Sequence, residues 1–295
     1  MSRPSQQISR FRIKGFSLFQ LFFVYFTSIG MFYTVGATVG DTLFLSHLPP
    51  ERVPSLLPWV YVSVGVTNVL AALLLDAVQA RLSRLWVVAG TPLVLALSVL
   101  GFWQLSGLEI SALYLALVVW IEACALVSIT IFFSFAGDYF TAREARRWYG
   151  YLAGGMALGT LLSGYLVGVL VGLIGIRNLL QVGAALLLLN AGLSWFIYRY
   201  AVPAPIELDA EEGGGERVSM KMIFSRPFVR LVALSVPLVL IISVVVDYQM
   251  KWVASTKSEQ ELALFFGAFW ERVGIAQLLV QFLVVPPLLR QLGII

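Results

Sequence analysis

The chain is poor in the side chains that most chemistry needs. It has one cysteine, Cys124, and one histidine, His47. A single cysteine excludes an intrachain disulfide. One cysteine and one histidine, the latter in a turn beside Pro49 and Pro50, do not supply the convergent ligands of a metal site. No Gly-rich phosphate loop, HExxH helix, CxxC pair or Ser-His-Asp set is evident, so hydrolase and redox chemistry are disfavoured. The expectation is a protein that is not an enzyme and has neither cofactor nor metal. Charge is scarce as well: Asp, Glu, Lys and Arg make up 12% of the 295 residues, against about 25% in soluble domains.

Apolar residues make up 59% of the chain. They fall into eight nearly charge-free stretches, about 17–40, 56–78, 85–104, 111–136, 148–172, 178–200, 228–252 and 262–286. Each approaches the roughly 20 apolar residues that cross a bilayer at about 1.5 Å per residue. Most lack the polar face that a soluble core helix of this length requires. An all-α, multi-pass membrane protein follows, with the lipid bilayer as its main partner. The first apolar run is too long for a signal-peptide core and no small-residue cleavage site follows it, so it reads as a retained helix.

The formal charge of +4 does not indicate nucleic acid, because the basic residues are segregated by loop. Arg3, Arg10, Arg12 and Lys14 precede the first helix; Arg81 and Arg84 follow the second. Arg143, Arg146 and Arg147 follow the fourth, and Arg199, Arg217, Lys221, Arg226 and Arg230 flank the sixth-to-seventh connection. Arg290 follows the eighth. The alternate loops hold only Arg52, Arg177 and Lys257. The positive-inside rule then places both termini in the cytoplasm, and the protein in the inner (plasma) membrane.

The organisation reads as a cytoplasmic N-terminus (1–16), a six-helix bundle (17–200), a cytoplasmic linker rich in glycine and acid (201–227), and two further helices (228–295). Six helices, a long cytoplasmic loop and a second set form the layout of major-facilitator-type transporters. The second set stops at two, about 8 of 12 helices, so the layout reads as interrupted and a missing C-terminal four-helix segment is expected as a partner.

Within the fifth stretch Gly155 and Gly159, then Gly164, Gly168 and Gly172, recur at a spacing of four. Small residues at this spacing let helix backbones approach closely in lipid. Ionisable residues at depth are the functional candidates, because an unpaired charge in hydrocarbon is costly. Glu122 lies mid-helix with no base within helical reach. Asp247 and Lys251 share one face and are placed to pair. Glu271 and Arg272 are adjacent and point apart, and Arg272 carries the fork that suits carboxylate or phosphate. These five residues are expected to line a substrate cavity. Asn68 and Asn190 read as helix–helix hydrogen-bonding residues. Asp76 with Arg81 and Arg84, and Asp138 with Arg146 and Arg147, read as a cytoplasmic gate.

Three stretches together resemble the bacterial and plastid ATP/ADP translocase family. They are Gly40-Asp41-Thr42-Leu43-Phe44-Leu45; Ile121-Glu122-Ala123 through Asp138-Tyr139-Phe140 to Arg143-Glu144-Ala145-Arg146-Arg147-Trp148-Tyr149-Gly150; and Val246-Asp247-Tyr248-Gln249-Met250-Lys251 with Phe265-Phe266-Gly267-Ala268-Phe269-Trp270. The resemblance implies twelve helices and exchange of nucleotides or other organic anions by alternating access. It also implies roles for the acids at Glu122 and Asp247. Gly40 stands where that family carries a lysine, and Gly36 and Ala37 replace an arginine–aspartate pair, as in a diverged, translocase-like branch. A membrane sensor or scaffold that has kept the fold, or an inactive fragment, is the alternative reading.

Overall fold

A computed structural model describes residues 17–108, 110–204, 227–285 and 287. It does not describe the side chains of Ala142, Arg143, Ala145, Arg146, Arg147, Pro227, Phe228, Val232 and Val236. The terminal arginines, the core of the linker and Arg290 therefore lie outside the described residues, as do the side chains of Arg146 and Arg147.

Among the described residues eight helices are long and apolar enough to span a bilayer. They are α1 (Leu18–Ser46), α2 (Val53–Arg81), α3 (Thr91–Leu105, preceded by a π-helical turn at Trp86–Gly90), α4 (Ser111–Gly137), α5 (Ala142–Ile174), α6 (Leu179–Tyr200), α7 (Pro227–Ala254) and α8 (Glu259–Leu279, continued by a π-helical turn at Val280–Val284). Among the described residues there are no strands. Three helices open on a capping box, in which Ser17 pairs with Gln20, Thr141 with Glu144 and Ser258 with Glu261. Each box satisfies backbone N–H groups that the first turn leaves without partners. At the end of α5, Gly175 takes φ +77°, the left-handed conformation that glycine adopts without steric penalty.

Helix α1 is the hub and packs on α4, α5, α6 and α8. Its aromatic face meets that of α4: Phe26 stacks on Phe132 at 4.2 Å, and Phe22 contacts Phe132, Phe135, Tyr139 and Phe140. Ser28 on α1 donates a hydrogen bond to Asn190 Oδ1 on α6, the role expected of Asn190. Asn68 does not repeat it, since its Oδ1 is buried without a partner among the described residues.

The α1–α5 and α5–α8 crossings are built from glycine on both sides. A Cβ on Gly159 would collide with the backbone of Thr27, Met31 and Gly30, and one on Gly30 with Met156. A Cβ on Gly164 would meet the backbone of Gly267 and Glu271, and one on Gly274 that of Leu161. Gly155 abuts Phe23 and Thr27. The expected packing ladder stops there. Gly168 and Gly172 face open space, with nothing within 4 Å of a built Cβ among the described atoms. Val167 and Val171 carry the buried face of α5 on toward Ile174, and Gly168 and Gly172 stand beside it on the exposed face, since steps of four residues drift around a helix of 3.6 residues per turn.

The loops sort to two ends. At one, Phe19 meets Trp148 at 4.6 Å, Arg84 meets Asp138, and the Ala204 N–H donates to the Asp138 carbonyl at 2.9 Å. At the other, His47 lies 4.3 Å from Tyr114, and Arg177 donates to the Trp103 carbonyl (2.9 Å) and Ser106 Oγ (2.9 Å) at the end of α3. A cation at that helix terminus satisfies carbonyls with no intrahelical partner. Among the described residues Arg81, Arg84 and Arg199 lie at one end of the bundle, and Arg52, Arg177 and Lys257 at the other.

Candidate functional site

Charges in the apolar interior converge from distant parts of the chain. Lys251 on α7 lies 2.9 Å from Asp247 one turn earlier and 3.0 Å from Asp41 on α1. Asp41 is 6% exposed and Lys251 8%, so the ammonium is enclosed by its two carboxylates rather than solvated. The Tyr61 hydroxyl on α2 donates to Asp247 Oδ2 at 2.7 Å, and its ring centroid is 5.7 Å from Lys251 Nζ. A buried charge is tolerated when paired and hydrogen-bonded; here three helices supply the partners.

The cluster opens on a cavity of about 570 Å³ between α1, α2, α4, α7 and α8. Glu122 lines it from α4, with Tyr33 from α1 as its neighbour. Phe269 and Trp270 close the side toward α8, and the Tyr33 and Trp270 rings stand edge to face at 6.0 Å. Tyr33, Trp270 and Val273 also line a second cavity of about 520 Å³ between α1, α5 and α8, together with Gln277 and Gln281. Among the described residues no ion pair involves Glu122, and Lys251 is the cation on the wall of the larger cavity. Trp270 Nε1 is buried without an acceptor among the described residues.

Depth follows from helix position. Asp41 is roughly one and a half turns from the α1 end at Ser46, and Lys251 about one turn from Ala254. Glu122 lies about three turns in from Ser111. The ion triad is therefore near the cation-poor end of the bundle, and Glu122 is closer to the middle. The charged groups descend from one end toward the centre.

Of the residues expected in the cavity, Glu122, Asp247 and Lys251 come together. Glu271 and Arg272 do not line it. Arg272 is exposed, and Glu271 lies at the α5–α8 crossing, where its backbone N–H faces Gly164. The reason is helical phase: Gly267 and Gly274 must face α5, which turns Trp270 and Val273 to the cavity and Arg272 away from it. Asp41, Tyr33 and Tyr61 are the participants that sequence reasoning left out. For Asp41 there was a signal, an acid inside an apolar helix; for the tyrosines there was none.

The expected gate is also rearranged. Asp76 sits within α2, exposed, and forms no ion pair among the described residues. Arg81 ends α2, also exposed. Arg84 turns instead to Asp138 at the end of α4 (2.7 Å), with Ser134 Oγ at 3.1 Å. This pair ties the α2–α3 turn to α4, inside the first six helices. Among the described residues the ion pair that bridges the first six helices to α7 is Asp41–Lys251, at the opposite end. Comparison of the chain with protein families, with curated proteins and with solved structures finds no match.

Proposed function

We propose that this protein is a secondary transporter of the facilitator type, in which α7 and α8 move against the first six helices around the Asp41–Tyr61–Glu122–Asp247–Lys251 cavity. The observation that carries the reading is the Asp41–Lys251 pair. It joins two helix sets across a cavity inside the apolar slab, and its cation has a second carboxylate, Asp247, on its own helix. Lys251 can therefore leave Asp41 while keeping Asp247. That is the property required of a link that breaks and reforms during alternating access, since an ammonium stranded in hydrocarbon is costly. The cation-rich end of the bundle supports cytoplasmic termini and an inner-membrane location.

Uptake into proteoliposomes of the full chain tests the reading. Glu122→Gln and Asp41→Asn are expected to abolish substrate flux while leaving the protein folded by its melting profile. Flux unchanged in both would assign the charges to structure and favour the sensor or scaffold, a reading supported by the way the triad satisfies itself internally. Orientation is checked separately. A cysteine replacing Thr256 should react with an impermeant maleimide in intact cells, and one replacing Ser83 should not; the reverse pattern inverts the topology.

A further inference from the structure

The cavity contains two places where a carboxylate meets aromatic rings. At the first, the Lys251 ammonium is held by Asp41 and Asp247 and lies 5.7 Å from the Tyr61 ring centroid. At the second, nearer the middle of the bundle, Glu122 stands beside Tyr33, with Trp270 and Phe269 on the same wall. The first place is filled by a cation of the chain itself. At the second, no protein cation pairs with Glu122 among the described residues.

Charge and surface both select for the sign of a ligand here. The titratable groups on the wall are Asp41, Glu122, Asp247, Lys251, Tyr33 and Tyr61. Three carboxylates face one ammonium, which is already committed to two of them. A phosphate or carboxylate would approach Glu122 with no free cation among the described residues to receive it, and Arg272 is exposed and does not line the cavity. A substituted ammonium would gain the Glu122 charge, and the aromatic faces would replace part of its hydration, as they do in quaternary-ammonium sites. The volume of about 570 Å³ lies within the range of small-molecule pockets.

Resting on the transporter reading, we infer that the Glu122–Tyr33–Trp270 part of the cavity binds an organic cation of the substituted-ammonium class, and not an organic anion. The Lys251 triad is the same recognition chemistry satisfied from within the chain.

The test is equilibrium binding of radiolabelled choline to the full chain in lipid nanodiscs, with tetramethylammonium, ATP and inorganic phosphate as competitors. Saturable choline binding is expected, competed by tetramethylammonium but not by ATP or phosphate. Glu122→Gln should weaken it by about tenfold or more, the loss of one charge-assisted contact, and Glu122→Asp should weaken it less. Absence of saturable choline binding to the wild type would overturn the inference, as would effective competition by ATP or unchanged affinity in a folded Glu122→Gln variant. The same preparation in proteoliposomes separates the two readings. Ammonium binding without flux removes the transporter and keeps the site. ATP flux without ammonium binding keeps the transporter and removes the site.

Discussion

Helices α1 and α7 both deliver charge to one cluster, yet they are held in opposite ways. Helix α1 is surrounded by protein: it packs on α4, α5, α6 and α8, through an aromatic nest on one side and a glycine crossing on another. Helix α7 packs only lightly on α2, and its apolar side chains from Leu238 to Val246 are exposed. Toward its C-terminal end it is tied by polar contacts beside the buried Ala254: Lys251 to Asp41, Asp247 to Tyr61, and the Tyr248 hydroxyl to the Pro54 carbonyl at 3.4 Å. In water such a helix would have to bury its apolar surface. In lipid that surface is already solvated, so association rests on packing and polar contacts, and a helix can be positioned by a few ion pairs and hydrogen bonds near one terminus.

The largest expected effect tests the packed side of this comparison. Gly159→Leu places a side chain against the α1 backbone, which cannot move away as a flexible side chain would. The penalty should exceed the roughly 1–3 kcal/mol of ordinary overpacking and abolish a monodisperse, folded peak on size exclusion. Gly168→Leu, on the same helix and at a related spacing, should fold as wild type, since its surroundings are open. Equal behaviour of the two variants would mean that α5 does not cross α1 as described.

Lys251→Met tests the polar side. It leaves Asp41 buried and facing Asp247 with no cation between them, a change of about 3–5 kcal/mol when a buried pair is broken from one side. Adding Asp41→Asn should recover most of the lost thermal stability. Asp247→Asn should cost less than Lys251→Met, because Lys251 keeps Asp41. If Lys251→Met melts at the wild-type temperature, α7 is not held by this triad. The smallest effect is expected from Tyr61→Phe, which removes one hydrogen bond to a carboxylate, about 1.5–3 kcal/mol at most. A loss larger than that of Lys251→Met would make Tyr61, rather than the ion pair, the main tether of α7.

Several features were legible without coordinates because the bilayer imposes them residue by residue. A span must be long and apolar, which marks all eight helices. Insertion segregates Lys and Arg, which marks the two ends. Charge at depth is costly, which marks Glu122, Asp247 and Lys251; their i,i+4 spacing and helical handedness suffice to pair the last two. Each of these properties belongs to a segment and its solvent, and no knowledge of its neighbours is needed.

What remained hidden depends on which helix faces which. Asp41 and Lys251 are 210 positions apart, and their pairing follows from α1 lying at the centre of the bundle and the end of α7 beside it. Arg272 was expected in the cavity and is turned out of it because the close approach of Gly164 to Gly267 sets the rotation of α8. Five glycines recur at helical spacing, but Gly155, Gly159 and Gly164 meet other helices while, among the described residues, Gly168 and Gly172 face open space, a distinction set by which side of α5 its neighbours cover. Local sequence thus determined the helices, their two ends and the costly charges within them. Only the tertiary structure decided the partners of those charges, because helix rotation and crossing are cooperative outcomes of many small contacts that no single segment encodes.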